Sequence, residues 1–282
     1  MRLGAHESIG GGLARAVERG RAVGADALQL FLKSSRRWAM PPVSEDQVAT
    51  FARVREASAM TPVVAHASYL ANLASPDDTL WHRSQAEFVA QLERAASLRL
   101  DGLVVHPGAA GAGCMEAALS RVAEGLRRVL AATDRITVPV LLETTAGQGT
   151  QIGYRFAQLG EILRQVAQEE RMGICLDTAH VFAAGYELRT PAGYAATLAA
   201  FEADIGLERL RLVHLNDSAG RVGSHLDRHA HIGAGALGLD SFARLLHDPS
   251  VTDVAGILET EPGPDLQGHR DDLACLRQLV VG

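Results

Sequence analysis

Nine side chains carrying nitrogen or oxygen donors stand at, or just past, the ends of short apolar runs. They are His66, His106, Glu143, Asp177 with His180, His214, Asp227 with His229, and Glu259. The steps from 66 to 106, 143, 177 and 214 are 40, 37, 34 and 37 residues, and 45 residues separate 214 from 259. Imidazole and carboxylate donors without a thiolate suit zinc, and also manganese. One zinc takes about four ligands, so nine point to several ions. A (β/α)8 barrel spends about 30 residues or more on each strand–helix unit and carries its chemistry where the strands end. One ligand per unit, at the same end of each, predicts a multinuclear metal centre at a barrel mouth.

Taken singly, a histidine that ends an apolar run is more often a core or capping residue; the joint pattern carries the reading. Glu143 ends the run VLLE, where a bare carboxylate is costly to bury without a partner. Asp177 and His180 in LDTAH are three apart and share a face if the chain turns helical there. Asp227 and His229 are two apart and point to one side of an extended chain. Glu259 and Glu261 share strand parity, so spacing does not choose between them. His6 in GAHES lies at the same rim and reads as a non-ligand, while Glu7 and Asp217 read as supporting or solvated acids. His225 and His231 complete a Gly- and His-rich stretch over residues 216–239, a long loop of the kind that usually carries function. Arg36, Arg37 and Trp38 follow the second run, and Tyr69 and Leu70 follow His66. Arginine on one rim loop and Tyr-Leu on the next could meet phosphate and wedge into a base stack.

These groups need a frame. Strand candidates lie near residues 2–5, 27–32, 62–66, 102–106, 138–143, 172–177, 210–215 and 255–259, as short apolar runs bounded by turn signals. Helical spacing occupies 12–23, 45–58, 83–98, 115–131, 155–168, 191–204, 239–246 and 268–279. Ser44-Glu45-Asp46-Gln47 predicts a capping box, and Pro191 and Asp240 suit helix starts. Eight alternating units over 282 residues predict an α/β fold, one (β/α)8 TIM barrel spanning 1–282, with the long segments after strands two, three, six and seven at its working face. No apolar run approaches the roughly 20 residues of a membrane span. The start MRLGAHES has no signal-peptide core, and three cysteines without a CxxC pair fit a reducing compartment, so a cytoplasmic protein is expected. The net charge of −6 argues against nucleic acid, but four of the acids are proposed ligands, and bound cations can be the largest positive charges in a site. Of 27 basic residues only Lys33 is lysine, which fits the base composition of a GC-rich genome better than selection for phosphate contacts.

The motifs also resemble a known family from end to end. GAHES and GGL at residues 4–13, AGQGTQIGYRF at 146–156, LDTAHVFAAGYELRTP at 176–191, HLNDS…GSHLDRHAHIG at 214–233 and ILET at 257–260 are similar to those of endonuclease IV, the zinc-dependent apurinic/apyrimidinic DNA endonuclease. The resemblance implies three zinc ions, with manganese possible at some positions. His66 and His106 would bind the first ion, and Glu143 would bridge the first and second. Asp177, His214 and Glu259 would complete the second, and His180, Asp227 and His229 would hold the third. It favours Glu259 over Glu261 and His229 over His231. Arg36, Tyr69 and Leu70 match positions that enter DNA at the lesion. The implied reaction is hydrolysis of the phosphodiester 5′ to an abasic site in duplex DNA during base excision repair, leaving 3′-hydroxyl and 5′-deoxyribose phosphate ends. Glu143 and Glu259 are the expected catalytic carboxylates, and a monomer associated with the nucleoid during repair is expected. Paired ions about 3.5–4 Å apart suit such chemistry because they stabilise both attacking and leaving oxygens. An abasic sugar is also cheap to extrude from the helix. Departures occur at Ser34, Ala67, Thr144 and the GAGALG tail of the long loop; none removes a ligand. The alternatives are a metal-dependent sugar isomerase or epimerase on the same barrel, which needs fewer ligands, and a non-catalytic binder of damaged DNA.

Overall fold

The computed structural model describes residues 1–281. Its strands are β1 (Leu3–Glu7), β2 (Ala27–Phe31), β3 (Val63–His66), β4 (Leu103–Val105), β5 (Val140–Glu143), β6 (Met172–Asp177), β7 (Leu210–His214), β8 (Asp217–Ser218), β9 (His229–Ala230) and β10 (Ala255–Leu258). Eight of them close into a parallel barrel in the order β1-β10-β7-β6-β5-β4-β3-β2. The chain is therefore a TIM barrel. The short antiparallel pair β8–β9 lies outside the barrel sheet and pairs the start of the long loop with a later segment of it.

Side-chain alternation along a strand explains the two cores. One set of strand residues, including Leu28, Leu30, Val63, Ala65, Val140 and Leu142, packs outward against the helices. The opposite set forms a separate apolar cluster of Ala27, Val64, Val104, Leu141, Cys175, Leu212, Ala255 and Ile257. That second cluster is the plug inside the barrel. Its Cys175 thiol is pushed up to about 12 by burial, so it stays protonated and acts as a small apolar residue.

Helices occupy 13–22, 45–58, 78–97, 115–132, 156–166, 178–184, 191–204, 239–246 and 267–281. The capping box forms as expected, with the Gln47 N–H on Ser44 Oγ and the Ser44 N–H on Gln47 Oε1. Two sequence expectations need correction. The third helix starts at Asp78 rather than 83, because the Asp77 carboxylate caps it by accepting from the Leu80 N–H at 2.7 Å. Asp240 is not a cap; Gly238 precedes the helix, and Asp240 lies in its first turn. After β6 the chain takes the helical alternative at once, entering a helix at Thr178, so Asp177 and His180 come to one side. Among the described residues, no helix is long and apolar enough to cross a membrane.

Candidate metal centre

The ligand candidates continue the interior faces of the strands. Val64, Val104, Leu141, Cys175, Leu212 and Ile257 belong to the plug. Two residues further, on the same faces, come His66, His106, Glu143, Asp177, His214 and Glu259. Strand parity thus aims six groups at one point above the plug. His180 is delivered by the helix Thr178–Ala184. Asp177 caps that helix, its Oδ1 accepting from the His180 N–H at 2.8 Å. β9 brings in His229, with Asp227 two residues before it.

All nine side chains meet at the mouth. Donor atoms of His66, His106 and Glu143 lie within 4.8 Å of one another, as do those of Glu143, Asp177, His214 and Glu259, and those of Asp177, His180 and His229. In the third group Asp177 stands near the two imidazoles as well, and Asp227 faces both of them from the edge. Its Oδ1 is 3.1 Å from His180 Nε2 and 3.9 Å from His229 Nε2. Glu143 is fully buried and faces two ways. Its Oε2 lies 3.0 Å from His66 Nε2 and 3.1 Å from His106 Nε2. Its Oε1 lies 3.1 Å from His214 Nδ1 and 3.2 Å from His180 Nδ1.

Hydrogen-bond polarity tests whether cations fit here. A carbonyl oxygen can only accept, so a ring nitrogen facing one must carry the proton. His66 Nδ1 donates to the Ala67 carbonyl at 2.7 Å, His180 Nδ1 to the Thr144 carbonyl at 2.8 Å, and His229 Nδ1 to the Glu259 carbonyl at 3.4 Å. His214 Nε2 meets the amide oxygen of Gln29 at 2.9 Å. The remaining nitrogen of each neutral ring then turns a lone pair inward, onto carboxylate oxygens or, for His180 and His229, onto each other at 3.4 Å. Outer nitrogens tied to acceptors and inner lone pairs facing acid oxygens are what metal-ligating histidines display. Only protons or cations reconcile such contacts, and the donor set fits divalent ions.

Protons compete for the same positions. Burial alone would lower the histidines, but the Glu143 charge raises His106, Asp177 with Asp227 and Glu143 raises His180, and Glu259 with Glu143 raises His214. Conversely, burial alone would raise the acids. His106 and His214 nevertheless hold Glu143 well below the usual carboxylate range, and His214 with His6 does so for Glu259.

The other candidates take different places. Glu261 is exposed and belongs to none of the three donor groups. His231 pairs with Asp272 at 2.9 Å, and His225 Nδ1 bonds the Ala146 carbonyl at 2.8 Å. His6 Nδ1 is 3.3 Å from Glu259 Oε1, while its buried Nε2 has no protein partner among the described residues. Of the two alternatives for Glu7 and Asp217, both take the supporting one rather than the solvated one, and both are buried. Glu7 accepts from His269 Nδ1 at 2.9 Å. Asp217 accepts backbone N–H groups from Ser218, Gly233, Gly235, Leu237 and Gly238. The GAGALG stretch is glycine-rich for this reason: a Cβ on Gly235 would sit 2.4 Å from Asp217 Oδ1 and 2.5 Å from the Ser218 carbonyl.

Supporting residues were missed in the sequence. Asn216 donates to Asp177 Oδ2 at 2.6 Å and accepts from the Glu259 N–H at 2.8 Å. Thr144 Oγ1 accepts from the Asp177 N–H at 2.9 Å. Gln29 is fully buried among groups of the centre. Its signal was there, as a lone amide inside the apolar run ALQLF.

At the rim, Tyr69 is 60% exposed, the largest such value among the big apolar side chains that protrude, and its ring stands 5.4 Å from that of His66 and 5.8 Å from that of His106. Leu70 is half-buried beside it, and Arg36 is exposed on the loop after β2. That loop is fixed at its base. Buried Lys33 pairs with Glu87 at 2.5 Å and donates to the carbonyls of Arg37 and Trp38, while Arg83 lies over the Trp38 ring at 4.1 Å. A cavity of about 240 Å³ opens beside Tyr69, with His66, Asn72, His106 and Asp227 also in its wall.

Comparison with known proteins supplies the relatives. The family described as xylose isomerase-like TIM barrel matches residues 17–279. A protein of Chloroflexus aurantiacus named probable endonuclease 4 is 46% identical over 281 residues, covering 100% of this chain and 99% of the relative. The crystal structure of endonuclease IV from Thermus thermophilus superposes with a TM-score of 0.88 at 38% identity, covering 100% of this chain and 99% of that one. A D-tagatose 3-epimerase-like protein shares the fold at a TM-score of 0.75 and 19% identity, over 100% and 98% of the two chains.

Proposed function

The chain belongs to the endonuclease IV family, and on that footing we propose that it is a DNA-repair endonuclease that hydrolyses the phosphodiester 5′ to abasic sites, with three zinc ions as cofactor. The observation that carries this reading is Glu143, whose two oxygens face separate histidine groups across a shared buried carboxylate. A one-ion sugar epimerase has no use for the additional His180, Asp227 and His229 group.

In this reading His66 and His106 would hold one ion and Asp177, His214 and Glu259 a second, with Glu143 available to both groups. His180, Asp227 and His229 would hold a third, and Asp177 lies near enough to contribute there as well. When bound, divalent ions there supply Lewis acidity, making water a nucleophile at neutral pH and balancing charge on phosphate. The chain's own residues do the rest. In the metal-free site their histidine neighbours hold Glu143 and Glu259 below the ordinary carboxylate range, so both present full negative charge and can accept hydrogen bonds that orient an attacking water. Tyr69 and Leu70 occupy the gap that an extruded abasic nucleotide leaves, and Arg36 meets the backbone phosphate. The cavity beside Tyr69 receives a sugar without a base, where lost pairing and stacking make extrusion cheap.

The experiment is a nicking assay with duplex DNA bearing one abasic site, an undamaged duplex, and free ketohexoses, each with the chain zinc-loaded or chelator-treated. Zinc-dependent nicking 5′ to the abasic site alone is expected. Ketose turnover without nicking would establish the epimerase, and tight abasic-DNA binding without nicking would establish a binder.

A further inference from the structure

Gln29 sits on β2 at the same interior parity as the plug residue Ala27 and beside His6 in register. Its amide reaches residues 185 and 230 positions away in sequence. Oε1 faces His214 Nε2 at 2.9 Å, while Nε2 faces Glu259 Oε1 at 2.5 Å and His6 Nδ1 at 2.9 Å. The amide can sit only one way round, since a flip would press its oxygen against the Glu259 carboxylate. With Oε1 toward His214, the imidazole must carry its proton on Nε2. Its Nδ1 lone pair is then directed at Glu143 Oε1 and Glu259 Oε2, at 3.1 and 3.2 Å. The same amide pulls one Glu259 oxygen back, leaving Oε2 free toward the centre. A single neutral side chain therefore sets both the tautomer of one ligand and the rotation of another.

We propose that Gln29 is the positioning residue of the second ion, selecting Nδ1 of His214 and Oε2 of Glu259 as the coordinating atoms. The proposal rests on the metal-centre reading above and adds to it a residue of β2, two strands round the barrel from β10 and three from β7. An apolar residue there would leave His214 Nε2 without a partner in a fully buried position and let the ring exchange tautomers. Loss of such an outer partner typically costs about 10- to 100-fold in metal affinity.

The test uses the full chain. Zinc affinities of wild type and Gln29→Met are measured by chelator competition, and the visible spectra of the cobalt-substituted proteins are compared. We expect one of the zinc affinities to fall about 10- to 100-fold, with a changed cobalt spectrum and the other two affinities retained. Equal affinities and an unchanged spectrum in a folded Gln29→Met protein overturn the proposal, as does a lowered melting temperature with neither change. If wild type itself binds no zinc, the metal-centre reading fails instead. A second measurement needs no variant. Long-range ¹H–¹⁵N correlation of the histidines in the zinc-loaded wild type should find His214 protonated on Nε2; protonation on Nδ1 overturns the proposal.

Discussion

Glu143 is the residue on which the centre turns. Replacing it with Gln keeps the volume but removes the charge shared by four imidazoles, so cleavage should fall by at least about 10²–10³-fold, the scale of losing one charge-stabilising group. Far-UV circular dichroism should be retained; wild-type turnover in Glu143→Gln would refute the bridging role. Arg36 makes the opposite prediction. Arg36→Ala should weaken binding to abasic DNA and lower the salt dependence by about one counterion while leaving metal content unchanged; loss of metal would mean that its loop serves the centre itself. At this scale the sequence was informative wherever a candidate ligand ended its apolar run. His66, Glu143, Asp177 and Glu259 were legible because a polar donor closed each run. Gln29 was not, because it sits inside its run, and only the register of β2 against β1 and β3 shows that it shares the inward face. Asn216 and Thr144 work through long-range hydrogen bonds that no local pattern encodes.

Among the elements, the eight strands fell within a few residues of expectation, because each is a short apolar run between turn signals and has both faces buried. Helix boundaries were less legible where the start was set by a side-chain cap, as at Asp77, rather than by periodicity. The β8–β9 pair and its loop were invisible as structure, since the loop is ordered by a buried acid accepting five N–H groups rather than by a hydrophobic pattern. Asp217→Ala would leave those groups unsatisfied at about 1–3 kcal/mol each before relaxation. The denaturant midpoint should therefore fall, and the zinc assigned to Asp227 and His229 should be lost at lower chelator concentration than the other two proposed ions. An unchanged midpoint together with unchanged zinc retention would show that the loop is held by other means.

For the whole molecule, the cluster links stability to pH and to metal. Without metal, His106, His180 and His214 have raised values, so their contribution is complete below about 6.5 and is lost as pH rises through the folded values. Glu143 and Glu259 have lowered values, so theirs is present above about 4.5 and is lost as pH falls. The chelated protein should thus be most stable in mildly acidic solution and melt lower as pH rises above that window. Zinc displaces those protons, so its stabilisation should grow with pH; melting curves across pH with zinc and with chelator check both signs, and parallel curves would contradict them. Barrel architecture and convergence of the nine groups were legible together, because equal spacing along the chain becomes one rim when the strands close. The central claim is that this rim holds three ions, and the most direct measurement is elemental analysis of the purified chain after zinc loading and removal of free metal. Three zinc atoms per chain are predicted; one, or none, would contradict the account.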